Sequence, residues 1–194
     1  MKKIIPWAIL IFLVCLVFYP QPSRLADTTI PNMNPHVLNK EISLQLPATT
    51  QIAEHWLEDR QQLHYSAYLN DEPLGLRGYI QLWQIDDLEY YLQKSKEMST
   101  FDFYTFSLDA THIGDFKGIL NSWGASFGQA AKLSGKEYWL YTPNQKVLRI
   151  AFLTNDTSFN EEQLKVMGTI LSSLSWLGEP TNAETLIEIT GEHP

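Results

Sequence analysis

The stretch Ser122 to Gln129, SWGASFGQ, contains Gly124-Ala125-Ser126-Phe127-Gly128, a Gly-x-Ser-x-Gly spacing. In hydrolases this spacing marks a nucleophile elbow, where a strand turns sharply into a helix and exposes the serine hydroxyl. The chemistry also needs a base within hydrogen-bond reach, and the hydrolase chain order places an acid and then a histidine downstream. Here Gln129 to Trp139 leaves room for barely a turn or two of helix before Gly135, and the only later histidine is His193, one residue from the end of an acidic tail. A small cell-envelope serine hydrolase using Ser126 is therefore the alternative reading. The context favours a glycine-flanked loop beside Trp123, with Gly124 and Gly128 supplying unusual backbone angles.

Other reactive constellations are sparse. His55 and Glu58 have the spacing of one helix face and His64 is nearby, so a carboxylate–imidazole metal pair is conceivable, though a histidine beside Trp56 is as well explained by amphipathic packing. Asp86 and Asp87 fit helix-start charges better than a paired acid and base. Asn155-Asp156-Thr157 matches a glycosylation acceptor as an incidental occurrence. There is no Ser-x-x-Lys, His-Glu-x-x-His, P-loop or Gly-x-Gly-x-x-Gly. No catalytic, cofactor-binding or metal-ligating residue is assigned, and no cofactor is expected. The aromatic load remains: Trp56, Trp83, Trp123, Trp139 and Trp176 lie in the folded part, most of them expected to pack the core, with the option of a stacking or anchoring surface for a glycan or a partner.

The N-terminus, MKKIIPWAILIFLVCLVFYP, carries Lys2 and Lys3 and then an uncharged run from Ile4 to Tyr19. As a helix, that run would span about 24 Å, near the roughly 30 Å hydrocarbon layer. Trp7 and Tyr19 fall where amphipathic rings favour the interface. Cleavage after Ala26 would leave Arg24 at a position that wants a small residue, and lipidation at Cys15 would follow Phe12-Leu13-Val14 where small residues are usual. Residues 1–19 are thus expected to be an uncleaved single-pass anchor, with the positive end in the cytoplasm and the rest of the chain outside. Cys15 is the only cysteine, so no disulfide forms within the chain. Beyond the two lysines, 12 basic residues face 22 acidic ones, a balance of about −10 that repels phosphate backbones and excludes nucleic acid as a partner.

The elements that would position these residues read as follows. Residues 20–40, with Pro20, Pro22, Pro31 and Pro35, form an extended linker. A single domain occupies 41–177. Ile42, Leu44 and Leu46 alternate as a strand ended by Pro47. Residues 62–69 and 75–85 make a hairpin around NDEP, the second strand being central because both its faces are apolar. A helix follows Asp86, whose spacing to Glu89 resembles a capping box, with Leu88, Tyr91, Leu92 and Ser95 on one stripe. Strands are expected at 101–108 and 116–123, then the hairpin KEYWLY/KVLRIAFLT around Thr142 to Gln145. The last helix is capped from Ser158 and buries Leu164, Met167, Leu171 and Leu174. Residues 178–194 form an acidic tail, in which TLIEI has the composition of an edge strand. The order predicts an α+β fold, a mostly antiparallel sheet with a crossing helix and a C-terminal helix packed on it.

The strand ending in Pro47, the Trp56 loop, GYIQLWQI with its helix, the EYWLY/VLRIAFLT hairpin and the FNEEQL helix together resemble the PsbP-like fold over about residues 41–176. They are also similar to uncharacterised membrane-tethered proteins of spore-forming Gram-positive bacteria. The resemblance implies an extracytoplasmic accessory or assembly factor rather than an enzyme; in photosynthetic organisms such proteins attach to photosystem II. This chain departs in lacking a lipobox and any sign of a photosynthetic partner, so only the role of an outward-facing binding module is carried over, with a protein or cell-envelope component as the partner and no functional residue transferred.

Overall fold

The computed structural model describes residues 31–56, 62–127 and 131–179. Ten strands and two helices follow one another: β1 (Met33–Leu38), β2 (Ile42–Pro47), β3 (Gln51–Trp56), β4 (Leu63–Asp71), β5 (Leu76–Trp83), α1 (Leu88–Met98), β6 (Asp102–Ile113), β7 (Phe116–Phe127), β8 (Ala131–Tyr141), β9 (Val147–Thr154), α2 (Glu161–Ser172) and β10 (Ser175–Trp176). The fold is α+β, with every strand pairing antiparallel. Strands β3-β4-β5-β9-β8-β7-β6 make a seven-stranded sheet and β1-β2-β10 a smaller one.

The small sheet and α2 cover one face of the large sheet. Ile42, Leu44 and Leu46 of β2 and Val166, Met167, Ile170 and Leu171 of α2 meet Ile80, Leu82, Leu148, Ile150 and Phe152 in one buried cluster. The β5 strand is central, between β4 and β9, as its two-sided apolar pattern predicts. α1 lies on the opposite face, where Leu88 and Leu92 bury against Trp139 and Val147.

Several expectations change. Residues 33–38, inside the stretch read as linker, are β1: Pro35 is tolerated because β1 is an edge strand and needs no inward N–H there. A tight turn joins it to β2, with Asn39 and Lys40 both left-handed and Glu41 N–H donating to Leu38 C=O at 3.2 Å. The Trp56 region is not a loop; through Trp56 it is strand β3, paired with β4. α1 is capped by Asp87, not Asp86: the Asp87 carboxylate accepts from Tyr90 N–H at 2.9 Å. α2 is capped by Asn160 in a reciprocal box with Gln163, not from Ser158, and Leu164 is 45% exposed while Gln163, Val166 and Ile170 turn inward. Strands β6, β7 and β8 run longer than their apolar cores suggest, because two of them flank the sheet's far edge and alternate with polar residues. Among the described residues no helix is long and apolar enough to cross a membrane. The anchor read over 1–19 and most of the acidic tail lie outside the described residues.

Candidate functional site

The face of the large sheet beneath α1 carries the features with chemical content. Antiparallel register aligns Trp123 and Asn121 of β7 with Gly135 and Glu137 of β8, and Glu137 and Trp139 with Ala151 and Arg149 of β9. Arg149 in turn stands opposite Gln81 of β5, and Gln81 opposite Ser66 of β4. One polar row thus crosses five strands on a face otherwise lined with rings.

The centre of that row is Glu137, 5% exposed. Its Oε1 accepts from Trp123 Nε1 at 2.8 Å and pairs with Arg149 Nη2 at 2.9 Å. Its Oε2 accepts from Trp139 Nε1 and from Arg149 Nε, each at 3.1 Å. Four donors fill the roughly four lone-pair sites of a carboxylate. Arg149 also gives Nη1 to Gln81 Oε1 at 2.8 Å, and the same oxygen takes Trp83 Nε1 at 3.2 Å. Gln81 Nε2 completes the row on Ser66 Oγ at 3.2 Å. The guanidinium lies 4.9 Å from the Trp139 ring centroid, a cation–π contact in a partly desolvated setting.

Two ring groups stand on either side of this floor. Trp83, Tyr91 and Trp139 form one, with centroids 5.8–6.1 Å apart. Phe101, Phe103, Phe106 and Trp123 form the other, with contacts at 5.6–6.3 Å. Trp123 lies flat on Gly135: a Cβ there would stand 2.4 Å from its ring, so glycine is what lets the indole reach Glu137. Between the groups, under the α1 residues Ser95 and Lys96, runs a cleft of about 370 Å³ that also touches Asn121, Glu137 and Arg149. Lys96 Nζ sits 4.5 Å from the Phe106 centroid at its mouth.

Among the described residues, those singled out in the sequence do not assemble into a reactive site. Ser126 lies within β7, opposite Asp102 and Lys132. After it the chain returns as strand β8, not as a helix, so the Gly-x-Ser-x-Gly match has no elbow. Gly124 serves packing instead, with the Tyr104 ring over it. His55 is an exposed residue of β3 opposite Ser66, so helix-face spacing does not apply to it, and Glu58 lies outside the described residues. His64 is at a register shift in β4 with a buried Nε2 that has no partner. No group of three or more metal-ligating side chains occurs among the described residues. Asn155 receives a hydrogen bond from Arg77 Nη2.

Glu137, Arg149, Gln81 and Asn121 were not marked by sequence reasoning. A signal exists: Gln81-x-Trp83, Asn121-x-Trp123 and Glu137-x-Trp139 repeat a polar residue two before a tryptophan, which in a strand puts both on one face. Read as a pattern, it predicts indole N–H groups bonded beside them.

No family model and no curated protein matches the chain. Among solved structures, it is similar to the solution structure of cyanobacterial PsbP (CyanoP) from Synechocystis sp. PCC 6803. The TM-score is 0.49 at 9% identity, covering 76% of this chain and 94% of that one. None of the cleft residues is carried over from it.

Proposed function

We propose that this protein is a non-catalytic binding or assembly module, held at the membrane by its N-terminal segment, with the folded domain outside the cytoplasm. The observation that carries the binding reading is the saturated carboxylate in a ring-lined cleft. A general base must have a lone pair free to take a proton, and a nucleophile must be accessible. Glu137 has its acceptor sites filled by two indoles and one guanidinium, so it braces the walls rather than reacting. Ring-lined walls over a rigid, satisfied floor suit recognition. The location rests on Lys2 and Lys3 ahead of the apolar run Ile4–Tyr19, and the acidic balance favours protein or envelope partners over nucleic acid.

The test is purification of the tagged full chain from solubilised membranes, together with protease treatment of intact cells. The reading expects a specific companion in the purified material and loss of the domain without lysis. A chain that emerges alone, or a domain degraded only after lysis, contradicts it.

A further inference from the structure

The edges of the two sheets are not alike. β1 carries Pro35, β10 is two residues long, and β3 is six with Glu54 and His55 among them. Proline, short length and charge are the usual means of keeping an edge from pairing with another chain. β6 is twelve residues long and contains no Pro, Lys or Arg. One side of it pairs with β7, and among the described residues no strand pairs with the other. Its register shift lies at the start, between Phe103 and Thr105, and a turn with left-handed Gly114 follows Ile113. Between them runs a regular segment, Thr105-Phe106-Ser107-Leu108-Asp109-Ala110-Thr111, in step with β7 throughout.

Read backwards about Leu108, this segment matches itself. Phe106, Leu108 and Ala110 stand opposite Trp123, Asn121 and Ile119 of β7, on the ring-lined face; Thr105, Ser107, Asp109 and Thr111 stand on the other. We propose that β6 is a homodimer edge: two copies pair antiparallel about a two-fold axis at Leu108, joining their large sheets into one. An isologous contact requires each residue to suit the one at the mirrored position. Here Leu108 meets the partner's Leu108, the large Phe106 meets the small side chain of the partner's Ala110, and Thr105 meets the partner's Thr111. Asp109, an exposed acceptor, meets the hydroxyl of the partner's Ser107. The two Asp109 carboxylates are then diagonal neighbours, about 7–8 Å apart, not directly opposed. Centring on Asp109 instead sets two carboxylates face to face, and a centre nearer either end runs the ladder into the bulge or the turn. Seven residues paired this way make about seven main-chain hydrogen bonds. The axis is perpendicular to the sheet, so both ring-lined clefts open on the same face of the dimer.

The test is disulfide cross-linking of the full chain in an excess of detergent micelles, in a Cys15→Ser background. Directly opposed residues of an antiparallel pair have Cα atoms about 4.5–5.5 Å apart, within the roughly 4.4–6.8 Å a disulfide spans. Leu108→Cys should therefore link two copies under mild oxidation, and Gln51→Cys, on the opposite edge, should not. Leu108 is partly buried, so a second arm uses exposed positions: Ser107→Cys chains mixed with Asp109→Cys chains should link to each other more than either links to itself. Ser107→Asp, which opposes two carboxylate pairs, should weaken dimerisation about fivefold or more in analytical ultracentrifugation. Adding Asp109→Ser to it exchanges the two residue types and should restore the dimer. No cross-link at Leu108→Cys, equal cross-linking at Gln51→Cys, or a dimer indifferent to Ser107→Asp overturns the proposal. So does a Leu108→Cys adduct in intact cells whose mass is not that of two copies, which gives the edge to another protein. A monomer whose β6 amides resist hydrogen exchange overturns it as well, giving the edge to another part of the same chain.

Discussion

Glu137 organises this domain because one buried carboxylate serves four donors from three side chains. Removing its charge leaves Arg149 unpaired and indole donors facing an amide. Glu137→Gln is expected to cost about 3 kcal/mol in urea unfolding, somewhat less than a fully buried pair because Arg149 is partly exposed. Combining it with Arg149→Met should cost clearly less than the two changes added together, since the charges are lost as a unit. Gly135→Ala sets a methyl against the Trp123 ring and should cost about 1–3 kcal/mol, with a shift in tryptophan emission as the indole lifts. Tyr65, wholly buried, has its ionisation pushed well above the usual phenol range by burial first and then by donating to Glu54 Oε2 at 2.7 Å. Below about pH 10 the phenol is neutral in both states, so it adds no pH dependence there. Above it the unfolded chain ionises and the folded one resists, so stability falls as pH rises. Tyr65→Phe should make that alkaline decline shallower, as read from denaturant midpoints between pH 8 and 11. Tyr138, raised by burial, adds to the same limb.

At the scale of elements, the helix caps are decided by hydrogen bonds one or two residues from where spacing alone puts them. Asn160 and Gln163 satisfy each other's backbone N–H groups at 2.8 and 3.0 Å. Asn160→Ala should cost about 1 kcal/mol and Ser158→Ala almost nothing, measured by denaturation. Alternation and period made both helices, the β4–β5 hairpin and the β8–β9 hairpin legible. Strand β1 was hidden by Pro35, which a residue-by-residue reading takes as a linker signal and which an edge strand accommodates. The start of β8 was hidden by Gly135, whose reason for being in a strand is the indole above it. The aromatic residues of the cleft were visible; its polar row was not, because a buried Glu–Arg pair depends on which strands become neighbours. β8 and β9 are consecutive, but β5 reaches Arg149 across some sixty residues of chain, and local pattern carries no information on that pairing.

The whole molecule divides its labour between two faces of one sheet. One face is closed by α2 and the small sheet around aliphatic side chains; the other holds the ringed cleft, with α1 laid over only part of it. Met98, 79% exposed, ends α1 one residue before Ser99, which lines the cleft together with Phe101. The central claim is recognition through that cleft on the outer side of a membrane. It is tested most directly by a membrane-impermeant thiol cross-linker applied to intact cells carrying the chain with Cys15→Ser and Met98→Cys, with and without Ser95→Trp. A discrete adduct formed without lysis and lost when Ser95→Trp fills the cleft is the expected result; an adduct that appears only after lysis, or that is the same in both chains, contradicts the account.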